Sequence, residues 1–241
     1  MLYIVGIGPG SRDLMTQEAL DVIAKTEIIV GYSTYIRIIR DLIKDKEIVS
    51  TGMRGEVARC QKAIEIAQTG KDVAIVSSGD AGIYGMAGLA LELAAKAEAK
   101  IDIKVVPGVT ASIGAAAALG APLMNDFCHI SLSDLMTPWE VITKRVDAAA
   151  SADFVICLYN PRSKGRPNNL REALDIILKY KSPETVVGIG KDVARPKEIE
   201  KITMIKDLDE EDVDMTTIVI IGNKNTYVAD GRMITPRGYT L

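Results

Sequence analysis

Four short runs rich in β-branched residues in the first half of the chain each stop at glycine, serine or proline, and amphipathic stretches separate them. Leu2-Tyr3-Ile4-Val5 ends at Gly6, residues 27–30 at Gly31, residues 72–76 at Ser77-Ser78-Gly79, and residues 101–106 at Pro107-Gly108. Residues 16–25, 35–43, 56–68 and 86–97 carry apolar side chains at helical spacing between those runs. Strands separated by whole helices pair in parallel, so the pattern predicts a mainly parallel sheet with helices on both faces.

The theme changes after Pro107-Gly108. An alanine-rich helix is expected over 113–119, then strands over 127–132, 154–158 and 186–189, with helices over 139–150 and 169–180. Residues 199–205 and 217–221 alternate or run apolar with no long helix between them, which predicts antiparallel pairing at the end of the chain. The expected architecture is therefore α/β in two domains, 1–112 with a mainly parallel sheet and 113–241 with a mixed one. Neither an internal repeat nor a low-complexity tract interrupts it.

A chain of 241 residues buries a substantial core, and its 48% apolar and 25% charged content is that of a globular protein. A formal net charge of −3 without a basic excess argues against nucleic acid as the main partner. No apolar run reaches the roughly 18 residues of a spanning helix, and Met1-Leu2-Tyr3 leads straight into a strand, so no membrane is expected and the location is read as cytoplasmic. Cys60, Cys128 and Cys157 lack metal-ligand spacing and read as small buried apolar residues. His129 is the only histidine, which removes multi-histidine zinc sites, and no protein-bound metal is expected.

Gly6-Ile7-Gly8-Pro9-Gly10 follows a strand as a dinucleotide fingerprint would. Its spacing is GxGxG, however, and Gly31-Tyr32 stands where an acid would bind a ribose hydroxyl. Taken alone, the turn is equally well a tight strand-to-helix connection. Ser77-Ser78-Gly79-Asp80 and Pro107-Gly108-Val109-Thr110-Ala111 lie at further strand ends, and open α/β sheets bind ligands outside such ends. Gly79 lets a ligand approach the main chain, while Asp80 either accepts from a ligand or caps the next helix.

These segments, together with ISLSDLMTPWE at 130–140 and YNPRSKGR at 159–166, resemble the tetrapyrrole methylases of cobalamin biosynthesis. Within that family the resemblance is to the precorrin-3B carbon-17 methyltransferases, including the cobalt-precorrin-3 enzymes. It runs from Leu2 to about Asn223 and is reinforced by VGYSTY at 30–35 and TGMRGEVARC at 51–60. It implies the two-domain class III methyltransferase fold with an active site in the cleft between the domains. S-adenosylmethionine is then the donor and S-adenosylhomocysteine the product. The positions matching its family contacts are Pro9, Ser78, Gly79, Asp80, Ile83, Thr110 and Ala111, with Tyr159 and Asn160 from the second domain.

The implied reaction is methylation of carbon 17 of precorrin-3B or cobalt-precorrin-3, coupled to ring contraction, giving precorrin-4 or cobalt-precorrin-4. Such a tetrapyrrole, with or without cobalt, carries peripheral acetate and propionate carboxylates. Arg12, Arg162, Lys164 and Arg166 are the candidate cations for these, with Ser133 beside them. Sister enzymes acting on uroporphyrinogen carry an acid and a lysine where this chain places Tyr32 and Met53. Tyr32 and Arg54 are therefore candidates for the reactive edge, as is Asp134, which alternatively caps the helix near Trp139. The family also implies a homodimer, for which the small, apolar helices at 86–97 and 113–119 offer surface, unless they are buried between the domains. The alternatives are another precorrin methyltransferase of the same fold or a non-enzymatic nucleotide-binding module.

Overall fold

The computed structural model describes residues 1–52 and 54–240, and the chain divides into two compact units, Met1–Ala111 and Ser112–Leu241. The first unit holds β1 (Leu2–Gly6), α1 (Gln17–Lys25), β2 (Ile28–Tyr32), α2 (Ser33–Ile38), β3 (Glu47–Thr51), α3 (Glu56–Gln68), β4 (Val73–Ser77), α4 (Ala87–Lys96) and β5 (Ile103–Val106). Its sheet has the order β3-β2-β4-β1-β5, and every neighbouring pair is parallel.

Both faces of this sheet are covered, which is why its inner strands read as continuous apolar runs. Leu2, Ile4, Val30, Val73 and Ile75 pack with Cys60, Ile64, Ala87 and Ala90 of α3 and α4. The alternate residues Tyr3, Val5, Ile29, Ala74 and Val76 pack with Ala19, Val22, Ile23 and Ile36 of α1 and α2. Thr16 caps α1 by accepting from the Ala19 N–H at 3.1 Å, and its hydroxyl donates to the Pro107 carbonyl at 3.3 Å. The start of α1 is thereby tied to the turn after β5.

Two features of this half differ from expectation. Strand β3 sits at the sheet edge with Glu47, Ile48 and Ser50 exposed, so it lacks the apolar run that announces a central strand. The helix expected over 35–43 is broken: α2 ends at Ile38 and a single 3-10 turn spans Arg40–Leu42. Ile36, Ile39 and Ile43 are nevertheless all buried, which is the signal that mimicked one continuous helix.

The second unit comprises α5 (Ala111–Leu119), β6 (Gly120–Ala121), β7 (Phe127–Ser131), α6 (Trp139–Ser151), β8 (Val155–Tyr159), α7 (Asn169–Ile177), β9 (Val186–Lys191), β10 (Ile199–Met204), β11 (Thr217–Ile221), β12 (Tyr227–Ala229) and β13 (Arg232–Ile234). Its main sheet runs β10-β9-β11-β8-β7, with β7 and β8 parallel and the other pairs antiparallel. The mixed sheet and antiparallel ending match the expectation. The small sheet β12-β13-β6 does not figure in it, because strands of two or three residues leave no periodic trace. Helix α7 stops short of Tyr180 as its last turn tightens, with Lys179 and Tyr180 donating to Ile176 and Ile177.

One face of this sheet packs Ile156, Leu158, Val187, Ile189, Val219 and Ile221 against Ile142, Val146, Leu170 and Leu174 of α6 and α7. The other face receives α5 at close range. A Cβ at Gly190 would stand 2.7 Å from the Ala115 Cβ, and one at Gly188 2.6 Å from Leu119. The small residues of α5 are thus explained by contact with its own sheet, as Gly114, Ala115, Ala116 and Leu119 are buried. Ala87, Ala90 and Ala94 of α4 are likewise buried within the first unit. No helix among the described residues is long and apolar enough to cross a membrane.

Candidate functional site

Strand order decides which turns meet in the first unit. Because β1 lies between β4 and β5, the turn after β1 is flanked by those after Ser77 and Val106. Gly8 and Gly79 exchange backbone hydrogen bonds of 3.0 and 2.8 Å, and both take the left-handed conformation, with φ of 70° in each. Gly6 and Gly108 are needed for a different reason. A Cβ at Gly108 would stand 2.3 Å from the Gly79 carbonyl oxygen, and one at Gly6 2.7 Å from the Gly108 nitrogen. The glycines first serve to press three turns together.

Asp80 is the clasp of this arrangement. Its Oδ1 accepts from the N–H groups of Gly82 at 2.7 Å and Ile83 at 3.1 Å, and its Oδ2 accepts from the Gly108 N–H at 2.9 Å. Helix α4 starts later, with Met86 at its N-cap position and no side-chain cap, so Asp80 is not the helix cap that the sequence allowed. Pro9 is buried beneath the edge, Ser78 and Ile83 are half-buried, and Thr110 is buried beside Ala111 at the start of α5. Five of these seven positions lie in the three turns, Ala111 opens α5 after the third, and Ile83 follows the second on the loop leading to α4.

At the other end of the same sheet edge, after β2 and β3, stand Tyr32 and Arg54. The Tyr32 ring meets Tyr35 edge-on at 5.2 Å. Arg54 is exposed with φ of 64°, and Met53 lies outside the described residues. Arg12 is exposed in a single 3-10 turn and borders a groove of about 230 Å³ along α1 with Gln17, Leu20 and Asp21.

Sequence reasoning missed Arg59, which is 2% exposed. Its Nε donates to Thr51 Oγ1 at 2.9 Å, Nη2 to the Gly52 carbonyl at 3.2 Å, and the guanidinium lies 5.9 Å from the Tyr32 ring centre. The signal that marks it is a charge on the apolar stripe Cys60, Ala63, Ile64 and Ala67 of α3. Through it the ends of β2 and β3 are held together.

The second unit gathers polar residues where β7 and β8 end. Asn160, with φ of 50°, donates from Nδ2 to Ser131 Oγ at 2.9 Å, and Ser133 donates its N–H to the same oxygen at 3.3 Å. The Tyr159 hydroxyl donates to Ser112 Oγ at 2.8 Å and accepts from the Ser112 N–H at 3.1 Å. His129 Nε2 lies 2.8 Å from the same Ser112 oxygen. Burial lowers the His129 pKa and so favours the neutral imidazole, whose Nε2 shares this hydrogen bond with the Ser112 hydroxyl. The lone histidine therefore takes part in a Tyr-Ser-His network, a juxtaposition that spacing along the chain did not announce.

Three cations of the 159–166 segment have different fates. Arg162 donates to the Glu210 carbonyl at 2.8 Å and to Glu211 Oε1 at 2.6 Å, which raises its pKa through the Glu211 hydrogen bond. Lys164 is exposed at the tip of a tight turn closed by paired bonds of Ser163 and Arg166. Arg166 is turned inward, its side chain 10% exposed, with Nε 3.9 Å from Asp134 Oδ1. Helix α6 has Pro138 at its N-cap position and no side-chain cap, so Asp134 is not its cap. Trp139, the most distinctive residue of its motif, donates from Nε1 to Glu172 Oε2 at 2.7 Å, bridging α6 to α7.

Cys60 and Cys157 are buried and Cys128 partly so, and desolvation pushes their thiols up to about 11, 12 and 11 respectively. They are protonated apolar fillers at neutral pH. Among the described residues no group of three or more histidine, cysteine, aspartate or glutamate side chains is placed to hold a metal ion. What the first unit offers at this edge is a rim of backbone amides, carbonyls and small side chains.

The family model described as Tetrapyrrole (Corrin/Porphyrin) Methylases matches residues 1–209. A protein of Salmonella typhimurium named "Probable cobalt-factor III C(17)-methyltransferase" is 57% identical over 241 residues, covering 100% of both chains. The "Precorrin-3B C(17)-methyltransferase" of a Sinorhizobium species is 40% identical, covering 99% of this chain and 96% of its own. Among solved structures, the methyltransferase CobJ superposes with a TM-score of 0.92 at 37% identity, over 98% of this chain and 99% of that one. The fold is also that of the Thermus thermophilus uroporphyrin-III C-methyltransferase complexed with S-adenosylhomocysteine, with a TM-score of 0.70 at 18% identity over 92% of this chain and 91% of that one.

Proposed function

We infer the function of this chain from one premise: it belongs to the tetrapyrrole (corrin/porphyrin) methylase family. Within that family we read it as the enzyme that moves a methyl group from S-adenosylmethionine to carbon 17 of cobalt-factor III, with contraction of the macrocycle, in cobalamin biosynthesis. The observation that carries this reading is the end-to-end 57% identity to the Salmonella typhimurium protein. The lower identity of 40% to the Sinorhizobium protein, named for a precorrin, favours the cobalt-containing substrate. Cobalt belongs to the substrate here and not to the protein.

The sulfonium of S-adenosylmethionine already activates the methyl group. The substrate carbon attacks in line, a carbon–carbon bond forms as the carbon–sulfur bond breaks, and sulfur keeps the electron pair as S-adenosylhomocysteine leaves. Alignment is then the main demand on the protein. The rim formed by Pro9, Ser78, Gly79, Asp80, Ile83, Thr110 and Ala111 suits the adenosyl donor, and its glycines suit close approach of backbone. Tyr32 and Arg54 are proposed for the reactive edge.

Anaerobic incubation with cobalt-factor III and S-adenosylmethionine should yield a tetrapyrrole heavier by one methyl group and an equal amount of S-adenosylhomocysteine. Turnover of a later corrinoid precursor with none of cobalt-factor III would reassign the step. Calorimetry should show micromolar-range binding of S-adenosylmethionine and no appreciable binding of NAD, because Gly31-Tyr32 supplies no acid for the ribose. Tight NAD binding with none of S-adenosylmethionine would reject the cofactor.

We place the enzyme in the cytoplasm, where the three free thiols are stable, and expect a homodimer. Leu91 and Ile113, 45% and 44% exposed, are the large apolar residues that α4 and α5 leave exposed. Light scattering giving the mass of a single chain at micromolar concentration would reject the dimer.

A further inference from the structure

Among the described residues, one buried side-chain nitrogen or oxygen has no hydrogen-bond partner, the Nε of Arg166. The side chain is nine-tenths buried, its Nη2 reaches only the Met215 sulfur at 3.2 Å, and Asp134 Oδ1 stands 3.9 Å from Nε. A thioether is a weak acceptor, and 3.9 Å is beyond hydrogen-bond range. A buried guanidinium held this loosely is an anomaly, since buried charges are ordinarily both paired and hydrogen-bonded. Arg162, four residues earlier, is fully engaged with Glu210 and Glu211 and makes the contrast.

The surroundings indicate what is missing. Leu135 and Met136, directly after Asp134, are 61% and 92% exposed, and Met215 is 47% exposed. A cation with an idle donor beside exposed apolar side chains fits a ligand with an apolar plane and an anionic rim.

We propose that Arg166 anchors one peripheral carboxylate of the macrocyclic substrate and that Asp134 is a stand-in anion which the substrate displaces; this rests on the tetrapyrrole reading above. A substrate carboxylate reaches Nε and Nη2 together, the bidentate geometry that Asp134 does not achieve. Asp134 therefore opposes substrate binding through like charge, and Arg162 has a structural task rather than a share in this contact.

The test compares Asp134→Asn, Arg166→Gln and Arg166→Lys for binding of cobalt-factor III without cofactor, and for kcat and KM. Arg166→Gln should weaken tetrapyrrole binding about 10- to 100-fold while S-adenosylmethionine affinity is unchanged, and Arg166→Lys should recover part of it. Asp134→Asn should tighten tetrapyrrole binding a few-fold, about the effect of one screened charge. Unchanged tetrapyrrole binding by Arg166→Gln overturns the proposal, as does a collapse of kcat in Asp134→Asn at constant KM, which would make Asp134 a catalytic group. Should Arg166→Gln fail to bind S-adenosylmethionine, and so be misfolded, the sign of the Asp134→Asn effect decides alone. A wild-type chain that binds the macrocycle without methylating it would reject the assigned reaction and leave the anchor to stand on binding. One that binds no tetrapyrrole would reject both.

Discussion

Gly108→Val is expected to abolish S-adenosylmethionine binding and to destabilise the first unit. A side chain at this position points at two backbones, the Gly79 carbonyl oxygen at 2.3 Å and the Gly6 carbonyl carbon at 2.8 Å. Neither yields as a flexible side chain would, because Gly6 and Ser77 end strands in register with each other and Val106 pairs beside Val5. Overpacking of a tight site costs about 1–3 kcal/mol, and the rigid sheet places this case at about 3 kcal/mol or above. Gly88→Ala is the matched control, because nothing lies within 4 Å of that added Cβ on α4. It should raise stability by about 0.5–1 kcal/mol through helix propensity and leave cofactor affinity unchanged. Denaturant titration and calorimetry read both variants. A folded Gly108→Val protein with wild-type cofactor affinity would show that the ligand does not use this rim.

Asp80→Ala should rank second in effect. The substitution leaves three backbone donors without their carboxylate, of which the Gly108 N–H joins the turn after β5 to the turn after β4. Hydrogen bonds to a charged group contribute about 1.5–3 kcal/mol each. Gly82 is exposed and regains water, so the net loss is expected at about 3 kcal/mol, below the sum of the three. Cofactor affinity should fall at least about tenfold, in proportion to the order lost at the rim. Asp80→Asn keeps one acceptor but sets an amide N–H against a backbone N–H, and should lie between alanine and wild type. If Asp80→Ala binds the cofactor normally while unfolding at the wild-type denaturant concentration, the clasp has no role in the site.

These two variants also mark where reading along the chain stops. The strands β1, β2 and β4 were legible because both of their faces are buried, leaving unbroken apolar runs. Strand β3 was not, since an edge position lets Glu47 and Ser50 face water. The turns after β1, β4 and β5 stood out by composition, and strand order then brought them side by side. What each polar residue does there was not legible. Asp80 reads as a ligand contact or a helix cap, and the structure replaces the cap by a clasp on three backbone N–H groups. Arg162 and Arg166 read alike, yet one is engaged by Glu210 and Glu211 and the other keeps an idle donor.

The sequence by itself determined the parallel-then-mixed α/β plan, the three glycine-bearing turns and the family, because residue type and spacing are local properties that survive without coordinates. Only the tertiary structure decided which side chains are already engaged. Gly108 for Asp80, Glu210 for Arg162 and Ser112 for Tyr159 are partners 28, 48 and 47 residues away along the chain. A hydrogen bond needs its two atoms within about 3 Å, and over such separations that distance is set by the packed sheet and not by the spacing of residues in the chain.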